Sequence, residues 1–182
     1  MAQSVRLFIA AQLPDSLKTY LATQRQAYEH PAIRMVPEQN LHLTLFFIGN
    51  VPVTEVSNIR EKLAEVAERH QPFTLALEQL EPGPTPQSPR LIWARFRQHE
   101  TFIQLSRHLT YALSPASPRQ EKSIPHVTLC RFRKDLPKPP PFQGVVPNKE
   151  IQYHVSSLAL WSSQLASPHP VYTVEKEYVL GA

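Results

Sequence analysis

Two stretches of this chain set histidine and threonine among aliphatic residues. The first is Leu41-His42-Leu43-Thr44-Leu45-Phe46-Phe47-Ile48 and the second is Pro125-His126-Val127-Thr128-Leu129. Each reads as a β-strand, and the first is bounded by Asn40 and by Gly49-Asn50, which favour turns. Strand side chains alternate faces, so His and Thr within each stretch point the same way, roughly 6–7 Å apart at ~3.3 Å per residue. Imidazole, with an unperturbed pKa of about 6.5, gives or takes a proton at neutral pH. A neutral ring can act as base while a protonated ring opposite acts as acid. Threonine hydroxyls supply neutral hydrogen-bond donors. Two imidazoles and two hydroxyls converging from two strands could surround a phosphate and its developing charge. The two proton transfers would need no metal and no cofactor. One His-x-Thr strand is common by chance and reads as structural; the second copy is what suggests paired chemistry.

The elements that must position these residues follow from pattern. Val5 to Ala11 reads as a strand, and Pro14-Asp15 turns into a helix over 15–29 with Leu17, Tyr20, Leu21 and Tyr28 at near-helical spacing. Residues 33–36 form a short strand, followed by the His42 strand. Thr54 is positioned to cap a helix over 55–70 whose buried stripe is Val56, Ile59, Leu63 and Val66. Strands over 73–80 and 90–97 flank a Pro-rich loop at 82–89. A helix over 101–114 carries Phe102, Leu105, Leu109 and Leu113 on one face. Further Pro-rich loops at 115–118 and 137–141 bracket the His126 strand, because proline neither donates to a ladder nor continues a helix. Two last strands fit 150–164 and 171–180. Long crossovers mixed with neighbouring strands predict an α+β fold in one domain spanning 1–182.

Composition narrows the class. The 182 residues suffice for one sizeable core, and 42% hydrophobic with 19% charged residues fits a folded, soluble chain. No apolar run approaches the ~20 residues that span a bilayer. No basic-then-apolar leader opens the sequence, and the single cysteine, Cys130, excludes an intrachain disulfide or multi-cysteine metal site. A cytoplasmic setting is expected. With only 4 glycines there is no Gly-rich phosphate loop. Residues 90–138 hold ten Lys/Arg against three acids, a local balance of +7 within a chain of net +4. Such a zone suits phosphates, although loop solubility accounts for it equally well on composition alone.

The paired motifs His42-Leu43-Thr44-Leu45 and His126-Val127-Thr128-Leu129 resemble those of the two-histidine (2H) phosphoesterases. Arg6-Leu7-Phe8-Ile9-Ala10, the Asn40 to Leu45 strand with Ile48-Gly49 after it, Arg90-Leu91-Ile92-Trp93 and the Pro125 to Arg131 segment are similar to bacterial RNA 2′,3′-cyclic phosphodiesterases, a group also called 2′-5′ RNA ligase. The resemblance implies a bilobal fold: two pseudo-symmetric lobes of mainly antiparallel sheet, helices on the outer faces, and both histidines in a central cleft. It implies opening of a terminal 2′,3′-cyclic phosphate on RNA to a 2′-phosphate. His42 would protonate the leaving 3′ oxygen, His126 would activate water, and Thr44 and Thr128 would hold the phosphate oxygens. An RNA 5′-hydroxyl in place of water would give a 2′-5′ linkage. The expected partners are RNA ends or nucleotides bearing cyclic phosphate, acted on by a monomer without a membrane. Related two-histidine proteins act on 2′-5′ oligoadenylates and small cyclic phosphates, which remain open as substrates.

Further residues carry weaker signals. Arg131 could neutralise phosphate charge, but strict alternation puts it opposite His126, so the role needs a bulge or twist. Phe46 continues the His42–Thr44 face and could stack on a base, with core packing the simpler reading. Cys130 falls on the His126 face, yet the first motif has no counterpart for a nucleophile. His30, His70, His99, His108, His154 and His169 have no paired spacing and read as packing or surface residues. Trp93 and Trp161 read as core or lobe-interface anchors. Two rival functions differ in class. A metal hydrolase using both histidines lacks a carboxylate partner on either strand and would fail in EDTA. An RNA-end-binding protein without turnover would bind through residues 90–138 after loss of both histidines.

Overall fold

The computed structural model describes residues 3–85, 87–114 and 123–182. Within these, nine strands and three α-helices follow one another as β1 (Ser4–Gln12), α1 (Asp15–Gln24), β2 (Ile33–Met35), β3 (His42–Pro52), α2 (Val56–Glu68), β4 (Phe73–Gly83), β5 (Leu91–Phe96), α3 (Glu100–Leu113), β6 (His126–Phe132), β7 (Gln152–Val155), β8 (Ser157–Gln164) and β9 (Val171–Val179). The strands form one antiparallel path in the order β7-β4-β5-β6-β3-β1-β8-β9, with β2 also on β6. This is the expected α+β architecture: two half-sheets, helices packed on one side, and the His-bearing strands β3 and β6 at the middle.

The middle of the sheet makes the cleft. Strands β3 and β6 are paired at Leu43 and Val127 alone. Beyond that point β6 gives the same edge to β2, where Ile33, Arg34 and Met35 face Phe132, Arg131 and Cys130. The two half-sheets therefore diverge from a single shared pair. Leu43, Val127 and Leu129 are fully buried on the helix side, and their neighbours His42, Thr44, His126 and Thr128 lie on the open side. Burial of apolar strand faces and of helix stripes forms one continuous core, contributed by Leu17 and Leu21 of α1, Ile59 and Leu63 of α2, and Phe102, Leu105 and Leu109 of α3.

Several boundaries differ from the sequence expectation for identifiable reasons. Helix α1 ends at Gln24 and tightens into a 3-10 turn over Arg25–Tyr28. That turn sends Tyr28 into the core, where its hydroxyl donates to the carbonyls of Leu80 at 2.8 Å and Gln143 at 3.2 Å. Thr54 does not cap α2. A 3-10 turn over Val53–Glu55 runs directly into the helix, and no side chain caps its N-terminus. Pro82 lies inside β4, which extends two residues into the first Pro-rich segment and ends at Gly83. The expected strand over 150–164 is two strands. Strand β7 pairs with β4 at one end of the sheet and β8 pairs with β1 in the other half, so the chain crosses between halves at Ser156. The loop expected at 115–118 lies outside the described residues, and residues 137–141 are irregular.

Candidate active site

Both half-sheets use the same local device. In β3, Ala10 of β1 faces Thr44 and Ile9 faces Phe46, so Leu45 is an extra residue without a partner. In β6, Trp93 of β5 faces Thr128 and Ile92 faces Cys130, so Leu129 is the extra residue. Each bulge falls on the leucine that closes the His-x-Thr-Leu motif. An inserted residue inverts the alternation that follows it. The residue five positions after each histidine thereby returns to the open face, which is Phe47 in one half and Arg131 in the other.

The bulges place Arg131 at the cleft and reverse the faces that strict alternation gave Phe46 and Cys130, while the core packing expected as the simpler reading of Phe46 holds. Arg131 lines the cleft with both histidines, as the bulge requires. Phe46 turns inward and packs against the core, while Phe47, 65% exposed, stands at the cleft. Cys130 does not share the His126 face. It is fully buried, its Sγ–H lies 3.2 Å from the thioether of Met35, and burial pushes its thiol up to about 12. It is a core residue.

The two imidazoles are held alike. His42 Nδ1 lies 2.7 Å from the carbonyl of Asn40, and His126 Nδ1 lies 2.7 Å from that of Ile124, each two residues earlier. A carbonyl only accepts, so on the neutral rings Nδ1 carries the proton and Nε2 is the nitrogen able to take one. The antiparallel pair Leu43–Val127 sets His42 toward Thr128 and Thr44 toward His126. All four side chains line one cleft of about 380 Å³, together with Arg6, Arg34 and Arg131.

The surroundings of the rings differ. His42 sits in an aromatic cage, with ring centroids of Phe8 at 5.0 Å, Tyr172 at 5.4 Å and Trp161 at 5.7 Å. Burial pushes its pKa down to about 4; the Asn40 carbonyl opposes this, and Arg131 and His126 reinforce it. His126 rests on Trp93 at 4.7 Å and is lowered mainly by burial, against the Ile124 carbonyl, with Arg131 adding to the shift. Both tryptophans are buried as expected, but against the histidines. The cleft thus sets neutral imidazoles beside arginine, a setting that favours an arriving anion, which in turn favours imidazolium.

Several cleft residues carried no local sequence signal. Tyr172 and His169 arrive from the β8–β9 hairpin, more than a hundred residues from His42 in sequence. Asn40, 8% exposed, donates from Nδ2 to the Pro170 carbonyl at 2.9 Å while its own carbonyl holds His42. Arg34 Nη1 donates to the Pro168 carbonyl at 3.0 Å. His169 is therefore a cleft residue, contrary to expectation. Of the remaining histidines, His70, just past the end of α2, and His108 of α3 do pair, Nε2 to Nδ1 at 2.8 Å. His99 stacks on Phe73 and His154 bonds Thr74. Among the described residues, no three His, Cys, Asp or Glu side chains gather as a metal-ligating group, and no helix is long and apolar enough to cross a membrane.

The chain is similar to known proteins over most of its length. A family profile described as the 2′-5′ RNA ligase superfamily matches residues 13–166. The RNA 2′,3′-cyclic phosphodiesterase of Methanothermobacter thermautotrophicus is 26% identical, over 93% of this chain and 95% of that protein. That of Thermus thermophilus is 28% identical, over 97% and 90%. A crystal structure of a Thermus thermophilus protein superposes with a TM-score of 0.83 at 27% identity, covering 97% of this chain and 98% of that one. The crystal structure of E. coli LigT complexed with 3′-AMP gives 0.77 at 26% identity, covering 99% and 100%.

Proposed function

The chain belongs to the 2′-5′ RNA ligase superfamily, and from that membership we propose that it is an RNA 2′,3′-cyclic phosphodiesterase working by acid–base catalysis between His42 and His126. The observation that carries the reading is the Leu43–Val127 pair, about which both His-x-Thr motifs meet in one cleft. His126 Nε2 takes a proton from water as the water oxygen attacks phosphorus. The bond from phosphorus to the 3′ oxygen breaks, and His42 Nε2 delivers its proton to that oxygen. The products are a 2′-phosphate and a free 3′-hydroxyl. Thr44 and Thr128 donate to the nonbridging oxygens, and Arg131 adds a charge-assisted donor. An RNA 5′-hydroxyl in place of water would leave phosphorus bridged to the 2′ oxygen, a 2′-5′ linkage.

His42 as acid needs a proton that its apolar cage disfavours. The substrate phosphodiester supplies the compensating negative charge, so binding itself would charge the ring. Phe47 and Tyr172 offer aromatic faces at the rim for the terminal base. Every group in this scheme comes from one chain, which supports a monomer. One continuous core beneath both half-sheets supports a single domain over 1–182. A free, buried Cys130 fits a reducing compartment such as the cytoplasm.

The test is hydrolysis of an RNA oligonucleotide ending in a 2′,3′-cyclic phosphate, in EDTA, with products separated as 2′- and 3′-phosphates. The expected product is the 2′-phosphate alone. Exclusive 3′-phosphate, or dependence on added metal, would overturn the mechanism.

A further inference from the structure

The cleft does not end at the histidines. Past Arg34, Leu91 and Arg131 it opens into a groove of about 1190 Å³, roughly three times the volume of the cleft itself. The cations on this groove are Arg34, Arg90, Arg131, Arg133, Lys134 and Lys138, against a single acid among the described residues, Asp135. Asp135 is already paired with Arg133 at 2.8 Å. The groove is formed by the end of β6, the segment after it, the loop before β5 and the β8–β9 hairpin. The basic zone of the sequence divides here. Arg95 is held by Glu78 and Glu81 at 2.6 Å each, and Arg107 lies over the Tyr111 ring on α3, so neither serves the groove.

Resting on the phosphodiesterase reading, we propose that this groove binds the RNA chain on the 5′ side of the reacting end, through its phosphodiesters. A 2′,3′-cyclic phosphate stands at a 3′ terminus, so any further nucleotides extend only in the 5′ direction. The cleft volume suits one nucleotide, within the ~300–1,000 Å³ usual for small-ligand sites. The adjoining groove is too large and too uniformly basic for that nucleotide alone. Arg131 and Arg34 belong to both spaces, so a strand leaving the cleft passes onto the cations without a break. Continuity with a phosphate site favours a nucleic acid over an acidic peptide. The groove holds about two to three nucleotides beyond the reacting one, which makes a site near the short end of the ~4–16 nucleotides engaged by single-strand grooves. The substrate is therefore an oligonucleotide or longer RNA, and a cyclic mononucleotide is a truncated one.

The experiment compares kcat/KM for a 2′,3′-cyclic mononucleotide and for ribo-oligomers of increasing length with the same terminus. It uses the wild-type chain and the triple variant Arg133→Gln, Lys134→Gln, Lys138→Gln, all exposed positions outside the proton-transfer machinery. The expected result is a gain of about tenfold or more that levels off near a tetramer. The variant should keep the mononucleotide rate within about twofold and lose most of the gain. With Arg133 already paired to Asp135, loss of the two lysine contacts should flatten the slope of log affinity against log salt by ~1.4, at ~0.7 per contact. Fluorescence anisotropy with an oligomer ending in 3′-phosphate reads the groove independently of turnover. Equal kcat/KM at all lengths, or a length gain and salt slope kept by the variant, would overturn the groove. Stronger competition by polyglutamate than by RNA of equal charge would assign it to an acidic protein instead. Absence of turnover at every length, with groove-dependent RNA binding intact, would sink the catalytic reading and leave the groove standing.

Discussion

In the proposed mechanism His42 and His126 share a role type but not an environment, and their pH behaviour should show it. Productive enzyme needs one ring charged and the other neutral, so kcat/KM should be bell-shaped, with limbs that belong to the coupled pair. Burial lowers both rings, His42 to about 4. The kcat/KM bell should therefore centre below pH ~6.5, the unperturbed imidazole value. Bound phosphate favours imidazolium, so the kcat bell should lie at higher pH. Profiles measured from about pH 4 to 9 that coincide, or a kcat/KM plateau through pH ~8, would contradict this. His42→Ala and His126→Ala should each lower kcat by ~10²–10⁴ with the fold retained, while Thr44→Val and Thr128→Val should be milder. The two phenylalanines after the first motif separate packing from recognition. Phe47→Ala should raise KM about tenfold or more at unchanged melting temperature, for loss of a stacking face worth ~1–3 kcal/mol. Phe46→Ala should instead lower stability by about 2 kcal/mol, less than the ~3–5 of a fully buried Phe. The reverse pattern would restore the face assignment expected from simple alternation.

At the scale of elements, the site depends on supports that lie behind the cleft residues. Strand β4 ends at Gly83, and a Cβ there would lie 2.6 Å from the Trp93 indole. That indole packs on the His126 ring and donates weakly to Glu81 at 3.4 Å, so it positions the imidazole from behind. Gly83→Ala must displace the indole, and the expected outcome is about a tenfold loss of kcat together with a moved limb of the pH profile. Gly144→Ala is the control, since its nearest contact would be an ordinary 3.4 Å. A Gly83→Ala enzyme with normal kcat and an unmoved profile would show that Trp93 is only filler. The paired bulges at Leu45 and Leu129 belong to the same scale. They bring Phe47 and Arg131 to the cleft without lengthening either loop.

For the molecule as a whole, holding neutral histidines in an apolar cleft has a stability consequence. His42 in the folded state has a pKa of about 4, below its unfolded value, and His126 and His70 shift the same way. Between those values the unfolded chain binds more protons, so stability rises with pH across the window and is lost as pH falls from ~6.5 toward 4. Urea unfolding at steps across that window should show the slope, and His42→Gln should flatten it. A variant with the wild-type slope would mean that burial of His42 does not govern the acid response. The same burial links catalysis to architecture. Two half-sheets meeting at one backbone pair create the cleft in which both rings are partly buried.

Much of this was legible from local pattern. The two His-x-Thr strands, three helices, the core stripes and the α+β class follow from periodicity and turn chemistry, which are properties of neighbouring residues. The pairing of the motifs was legible because they occur twice. What only the tertiary structure decided depends on residues distant in sequence. The bulges at Leu45 and Leu129 are defined by partners on β1 and β5, so alternation alone misassigned Phe46 and Cys130 and left Arg131 open. The cage of Phe8, Trp161 and Tyr172 that lowers His42, and the Asn40 anchor on the β8–β9 hairpin, come from strands paired across the sheet. The split of residues 150–164 into β7 and β8 was likewise invisible, because one extended backbone satisfies its hydrogen bonds equally well with either half-sheet and only long-range packing chooses.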